Sequence, residues 1–348
     1  MTICPVRGRD PPGDLGSRVI YRATIYVVKL TDPMPEMNGI LARADLQASA
    51  QERSSLWGFS PASAGSERST TPWWLWWNIL SADAPAVAVV WAVLFARVSA
   101  IRLTVGEAAA LVLSVWVIYT TDRLLDGWRV GNRAALQLRH LFCHRHRSML
   151  TALVIGASAL VLWLMADGSL ITDARAGLKL GVILVLYMAG IHTGDTRIGW
   201  LLPKEISVGF LFALGVTLPL WSRSLRFPWH QSLVWGFFAL LCSLNCLCIE
   251  YWENYREGPS RRQPAHWFVR LVGPRISFLA AAVAIGALVA CLTPSARPSQ
   301  TALLAVSAGG LLILVLNFTR PSLSTPALRV LADVALLVPA LIVLLLRG

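Results

Sequence analysis

From residue 79 to residue 346 the chain repeats one pattern: a run of 18–20 mostly apolar residues, then a short segment carrying Arg, Pro, Asp or Gly. Runs of that length match the roughly 20 residues with which a helix crosses the hydrocarbon of a bilayer. Nine stretches fit: 79–98, 106–125, 149–166, 175–192, 204–221, 232–250, 275–292, 301–318 and 327–346. They lack the alternation and the ~10-residue length of membrane-barrel strands, and they are rich in Leu, Ala, Val and Gly. The pattern predicts an all-α polytopic membrane helix bundle of about nine transmembrane helices, occupying residues 71–348.

Residues 1–70 break the pattern. Pro, Gly, Ser and scattered charges dominate there, and the apolar piece Val19–Leu30 is interrupted by Arg22 and Lys29. It neither spans nor resembles a cleavable signal, so a largely disordered tail is expected. A chain starting at Met34 or Met37 would be equally sensible. The cluster TPWWLWWN, Thr71–Asn78, then places four tryptophans where that residue favours headgroup level, just before the first span.

Composition agrees with a membrane protein. Hydrophobic types make up 55% of the chain and charged types 14%, too few to cover a surface in water. The formal net charge of +12 changes the picture only through its placement. Arg129, Arg133, Arg139, Arg145 and Arg147 follow the second span, and Arg256, Arg261, Arg262 and Arg270 follow the sixth. With alternating spans both loops share one side, and the positive-inside rule makes that side, with the N-terminus, cytoplasmic and Gly348 external. Arg223 and Arg226 after the fifth span are the exception. The expected location is the cell (inner) membrane. The cations serve orientation and contact with membrane lipids, and no aromatic-basic module points to nucleic acid.

The cysteines form no framework. Cys242, Cys246 and Cys248 fall inside a span with no histidine nearby and read as small packing residues. His140, Cys143, His144 and His146 in RHLFCHRHR have metal-ligating chemistry, yet Arg139, Arg145 and Arg147 between them oppose a divalent cation. A basic loop facing phosphates or lipids is the expectation there.

Two acidic clusters stand out. In VIYTTDRLLDGWR, Val117–Arg129, Asp122 and Asp126 are four apart and share a helix face, with Tyr119 a turn before them. In NCLCIEYWENYREG, Glu250, Glu253 and Glu257 again follow one face. Both sit where a span meets the cytoplasm and an arginine-rich loop begins. Adjacent carboxylates near a membrane repel and desolvate, so a cation should accompany them. Carboxylates that bind Mg²⁺ share it with phosphate oxygens, while Arg and Lys complete the neutralisation. Facing clusters suit a diphosphate; the plainer alternative is that each acid pairs with arginines, such as Arg123 or Arg129, at a helix end.

Nine spans, an aspartate motif ending the second and an acidic motif ending the sixth resemble the UbiA superfamily of intramembrane prenyltransferases, over about residues 73–346. The family's first motif reads approximately N-D-x-x-D-x-x-x-D. Its last two aspartates match Asp122 and Asp126, while Ile118 and Tyr119 stand at the Asn and first Asp. The second motif, D-x-x-x-D followed by Gly, finds Glu250 and Asn254 at its acidic positions, Glu253 beside them and Gly258 beyond. Lys204 in LLPKEISVGFLFALG matches a basic residue that supports the diphosphate.

The resemblance implies Mg²⁺ held by Asp122, Asp126, Glu250, Glu253 and Asn254. It also implies an isoprenyl diphosphate supported by Lys204, with Arg133 and Arg139 in reach, and a membrane-soluble acceptor that it leaves open. Tyr119 and Asn245 read as cavity or inter-helical hydrogen-bonding groups. The competing expectation is a non-catalytic relative that keeps the bundle and binds a lipid or a partner protein.

Overall fold

The computed structural model describes residues 72–129, 138–166, 171–192, 203–223, 229–257 and 266–346. The 1–70 segment expected to be disordered lies outside them. Every regular element among the described residues is helical. In chain order these are α1 (Trp73–Ile79), α2 (Asp83–Val98), α3 (Val105–Arg129), α4 (Leu138–Arg145), α5 (Arg147–Ala166) and α6 (Ile171–His192). They continue with α7 (Lys204–Val216), α8 (Leu218–Arg223), α9 (Trp229–Glu257), α10 (Trp267–Val272), α11 (Ile276–Cys291), α12 (Gln300–Thr319) and α13 (Thr325–Leu346).

Six stretches among the described residues are long and apolar enough to cross a membrane. They are Val105–Asp126, Arg147–Ala166, Trp229–Arg256, Trp267–Cys291, Arg297–Ser322 and Thr325–Leu346. The sequence pattern predicts nine, and the other three stretches each differ in a definite way. The first is an elbow: α1 and α2 meet at 79° and would count as a seventh span if taken together. Ser81 sits in the left-handed region at φ 58°, and the N–H groups of Leu80, Ser81 and Ala82 donate back to the carbonyls of Trp76, Asn78 and Trp77. Pro85 in the first turn of α2 lacks an N–H where none is needed. The fourth predicted stretch falls on α6, an unbroken 22-residue helix whose end residues 171–173 and 191–192 have no described side chains. The fifth is cut at Thr217, where Pro219 has no N–H for the turn before it. There the Thr217 hydroxyl donates to the Ala213 carbonyl (2.7 Å) and accepts from Trp221 Nε1 (2.9 Å).

α9 is the central helix. It packs against α7, α11, α12 and α13, and 56% of its apolar window is buried, against 11% for α5. Trp91 of α2 lies 4.3 Å from Phe238 of α9, with Phe95 closing the ring cluster at 5.4 Å from Phe238. Lipid tails are as apolar as Leu, so helices in a membrane associate through close packing rather than through hydrophobic burial. The contact of α7 with α9 shows this at Gly209. A Cβ there would stand 2.4 Å from the Ser243 backbone nitrogen.

Length and polarity define two ends. At one, Glu107 pairs with Arg223, and Arg97 Nη1 donates to the Leu344 carbonyl (3.1 Å). Arg223, the cation outside the basic loops, thus has its partner on α3. At the other end, Lys204 meets Glu250, Glu253 meets Arg329, and Arg256 Nη2 donates to the Arg320 carbonyl (2.6 Å). α9 has 29 residues, ~44 Å of helix against ~30 Å of hydrocarbon, longer than an upright span requires.

Candidate functional site

The last turns of α3 carry Asp122 and Asp126 on one face. Arg123, the residue between them, is rotated away and occupied elsewhere. Its Nη1 donates to the Asn78 carbonyl at 2.5 Å, one of the last carbonyls of α1 and so without a partner within that helix. Its Nη2 stands 3.9 Å from the Asp83 carboxylate at the start of α2. Arg123 is thus engaged with α1 and α2. Arg129 has no described side chain.

The acids of α9 divide. Glu253, 7% exposed, is bound by the equally buried Arg329 of α13. Glu250 faces α7, its Oε2 3.4 Å from Lys204 Nζ. Asn254 Nδ2 donates to the Glu250 carbonyl (2.7 Å) and to its Oε1 (3.2 Å), so the amide props the carboxylate from one turn below.

Lys204 is where the two clusters meet. It interacts electrostatically with Glu250, with its neighbour Glu205 and with Asp126 of α3. Its side chain remains 55% exposed. Pro203 precedes it and opens α7, whose first N–H groups and positive dipole end add to the ammonium charge. Tyr187 of α6 completes the surround: its hydroxyl donates to the Lys204 carbonyl (3.4 Å), hydrogen-bonds Ser207 and lies in electrostatic range of Asp122 and Glu205.

Sequence reasoning missed Glu205, Tyr187 and His266. Glu205 is 2% exposed, and neither carboxylate oxygen has a hydrogen-bond partner among the described residues. His266 lies in its electrostatic range and has an unpartnered Nε2, while its Nδ1 accepts from the Phe268 N–H (3.4 Å). A Glu directly after a Lys at a helix start reads as an ordinary ion pair, so the sequence carries no signal of that burial.

Of the remaining expected residues, Arg133 lies outside the described residues and Arg139 is described only as backbone of α4. In RHLFCHRHR, Cys143 is buried while His144, Arg145 and Arg147 are exposed. The Phe142 and His146 rings are 4.7 Å apart. Tyr119 and Asn245 line a separate cavity of about 20 Å³, together with Cys242, Cys246 and Asp333.

Among the described residues no three His, Cys, Asp or Glu side chains are grouped to hold a metal ion. A resident metal cage is thus absent from this donor set. The set does fit an ion that arrives with phosphates, because Mg²⁺ characteristically takes one or two carboxylates and completes its shell with water and substrate oxygens. Asp122 and Asp126 provide such a pair on α3, with Asp126 in electrostatic range of Lys204. No family model, no curated protein and no solved structure matches the chain.

Proposed function

We propose that the Lys204 end of the bundle binds an isoprenyl diphosphate and transfers its prenyl group to a membrane-soluble acceptor, as the resemblance to UbiA-superfamily prenyltransferases implies. One observation carries this reading: Lys204 pairs with Glu250 of α9 at 3.4 Å and lies in electrostatic range of Asp126 of α3, so two acidic motifs far apart in sequence converge near a single cation. A salt-bridge network at a helix end would need only one of them.

In this reading Lys204 and the first N–H groups of α7 take the diphosphate oxygens, exchanging the Glu250 contact for phosphate. Asp122, Asp126 and Glu250 would hold Mg²⁺, which would supply charge stabilisation for the leaving group. The allylic C–O bond breaks, the diphosphate keeps the electron pair, and the acceptor bonds to the allylic carbon and releases a proton. Glu253 and Asn254 act differently from each other: Glu253 fixes α13 through Arg329, and Asn254 orients Glu250. The acidic motifs face the cytoplasm of the inner membrane, the side of the arginine-rich loops.

Ile118 and Tyr119, in place of the motif's Asn and Asp, favour the second reading, a non-catalytic membrane protein that binds a lipid or partner protein. Following thermal stability of the purified protein with geranyl or farnesyl diphosphate separates the two. Mg²⁺-dependent stabilisation is expected, growing to ~2.7 kcal/mol at 100 times the dissociation constant. Its absence for both chain lengths overturns the prenyl-transfer reading in favour of the second.

A further inference from the structure

Asp83, Asp333 and Arg123 form a charged group inside the apolar bundle that the Lys204 cluster does not use. Asp83, 4% exposed, accepts from Asn78 Nδ2 (2.5 Å) and lies 3.9 Å from Arg123. Asp333 lies in electrostatic range of Asp83 and Arg123 and accepts from Asn245 Nδ2 at 3.1 Å. It sits eight residues into α13, ~12 Å along its axis from the helix start. Two carboxylates against one guanidinium leave one negative charge uncompensated in a medium where an unpaired charge is costly. The neighbours do not supply the missing charge: Arg329, one turn before Asp333 on α13, is paired with Glu253. α3 adds Tyr119, α9 adds Cys242 and Cys246, and α7 carries Lys204 and Glu205 only at its start. α1 and α12 contain no ionisable side chain, and Arg97 and Arg223 lie at the opposite end.

A second observation points to an occupant. Asn245 is 6% exposed and its Oδ1 has no hydrogen-bond partner among the described residues. The side chain lines the cavity of about 20 Å³ alongside Tyr119 and Asp333, which is room for one species the size of a water molecule. A buried amide oxygen with no donor, beside carboxylates with a net negative charge, lacks a single small cation.

We propose that this cavity is a binding site for one small monovalent cation, a sodium ion or a proton, held by Asp333 and the Asn245 amide oxygen, with the Asp83 charge behind them. A divalent ion would overshoot the single missing charge. The site stands apart from Lys204 and does not depend on what that cluster binds.

The test uses the full-length protein in lipid or detergent. Thermal unfolding is compared in sodium and choline chloride at equal ionic strength, and infrared spectra are searched for the C=O stretch of a protonated carboxyl. Stabilisation by sodium that choline does not reproduce, and that Asp333→Asn abolishes, assigns the occupant as sodium. A protonated-carboxyl band that vanishes in both Asp83→Asn and Asp333→Asn assigns it as a proton shared by the pair, because the single remaining carboxylate then faces Arg123 alone. The wild-type comparison stands even where a variant fails to fold. Neither sodium-specific stabilisation nor a protonated-carboxyl band in the wild type would overturn the site.

Discussion

Glu250 and Glu253 are three residues apart on one helix, yet they have unlike tasks. Glu253 is enclosed with Arg329, and removing one member of such a pair leaves the other charge buried alone. Glu253→Gln should therefore cost ~3–5 kcal/mol of stability. Asp122→Asn and Asp126→Asn, by contrast, should change stability by no more than ~1 kcal/mol while removing Mg²⁺-dependent stabilisation by diphosphate. Chemical denaturation with and without the ligand reads both effects; a Glu253→Gln variant as stable as wild type would mean that the Arg329 pair is not the anchor described here. Sequence alone reads these acids as sharing one face, whereas Glu250 turns to Lys204 of α7 and Glu253 to Arg329 of α13. It could not separate Glu253 from Glu250, because Arg329 lies 76 residues further along and inside a run that otherwise reads as pure membrane span.

At the scale of elements, the apolar runs were legible wherever a helix continues without interruption. The breaks were not. The elbow at Ser81 depends on a left-handed residue that carries no glycine signal, and the cut at Thr217 on one proline inside an apolar stretch. Nor does sequence announce which small residues meet. Gly209 is one of many glycines in the spans, but its approach to the Ser243 backbone sets how closely α7 lies on α9, and hence where Lys204 stands relative to Glu250. Gly209→Ala should force the helices apart at a cost of ~1–3 kcal/mol and weaken diphosphate binding, although the substituted position carries no charge. Unchanged melting temperature and unchanged ligand stabilisation would show that this contact is looser than described.

For the whole molecule, charge placement carries the orientation. Residues 129–147 and 255–270 are expected in the cytoplasm and Gly348 outside. Single cysteines introduced as Ala134→Cys, Ser260→Cys and Gly348→Cys, labelled with a membrane-impermeant maleimide in intact cells, should react only at the last. Labelling at Ala134→Cys would reverse the arrangement and put the acidic motifs on the wrong side for a cytoplasmic diphosphate. What sequence did not disclose at this scale is the buried charge in the bundle. Asp83, Arg123 and Asp333 each look like a boundary or stray residue until three helices bring them together.

Arg123 reaches the end of α1 while Asp122 beside it faces the Lys204 surround. One turn of α3 is therefore fastened on one side to a helix whose tryptophans Trp73, Trp76 and Trp77 are exposed, as expected of residues at headgroup level, and on the other to the acid pair. Bilayer thickness and lateral pressure act on the first of these attachments, so the lipid around the protein is part of the frame that sets the spacing of the second.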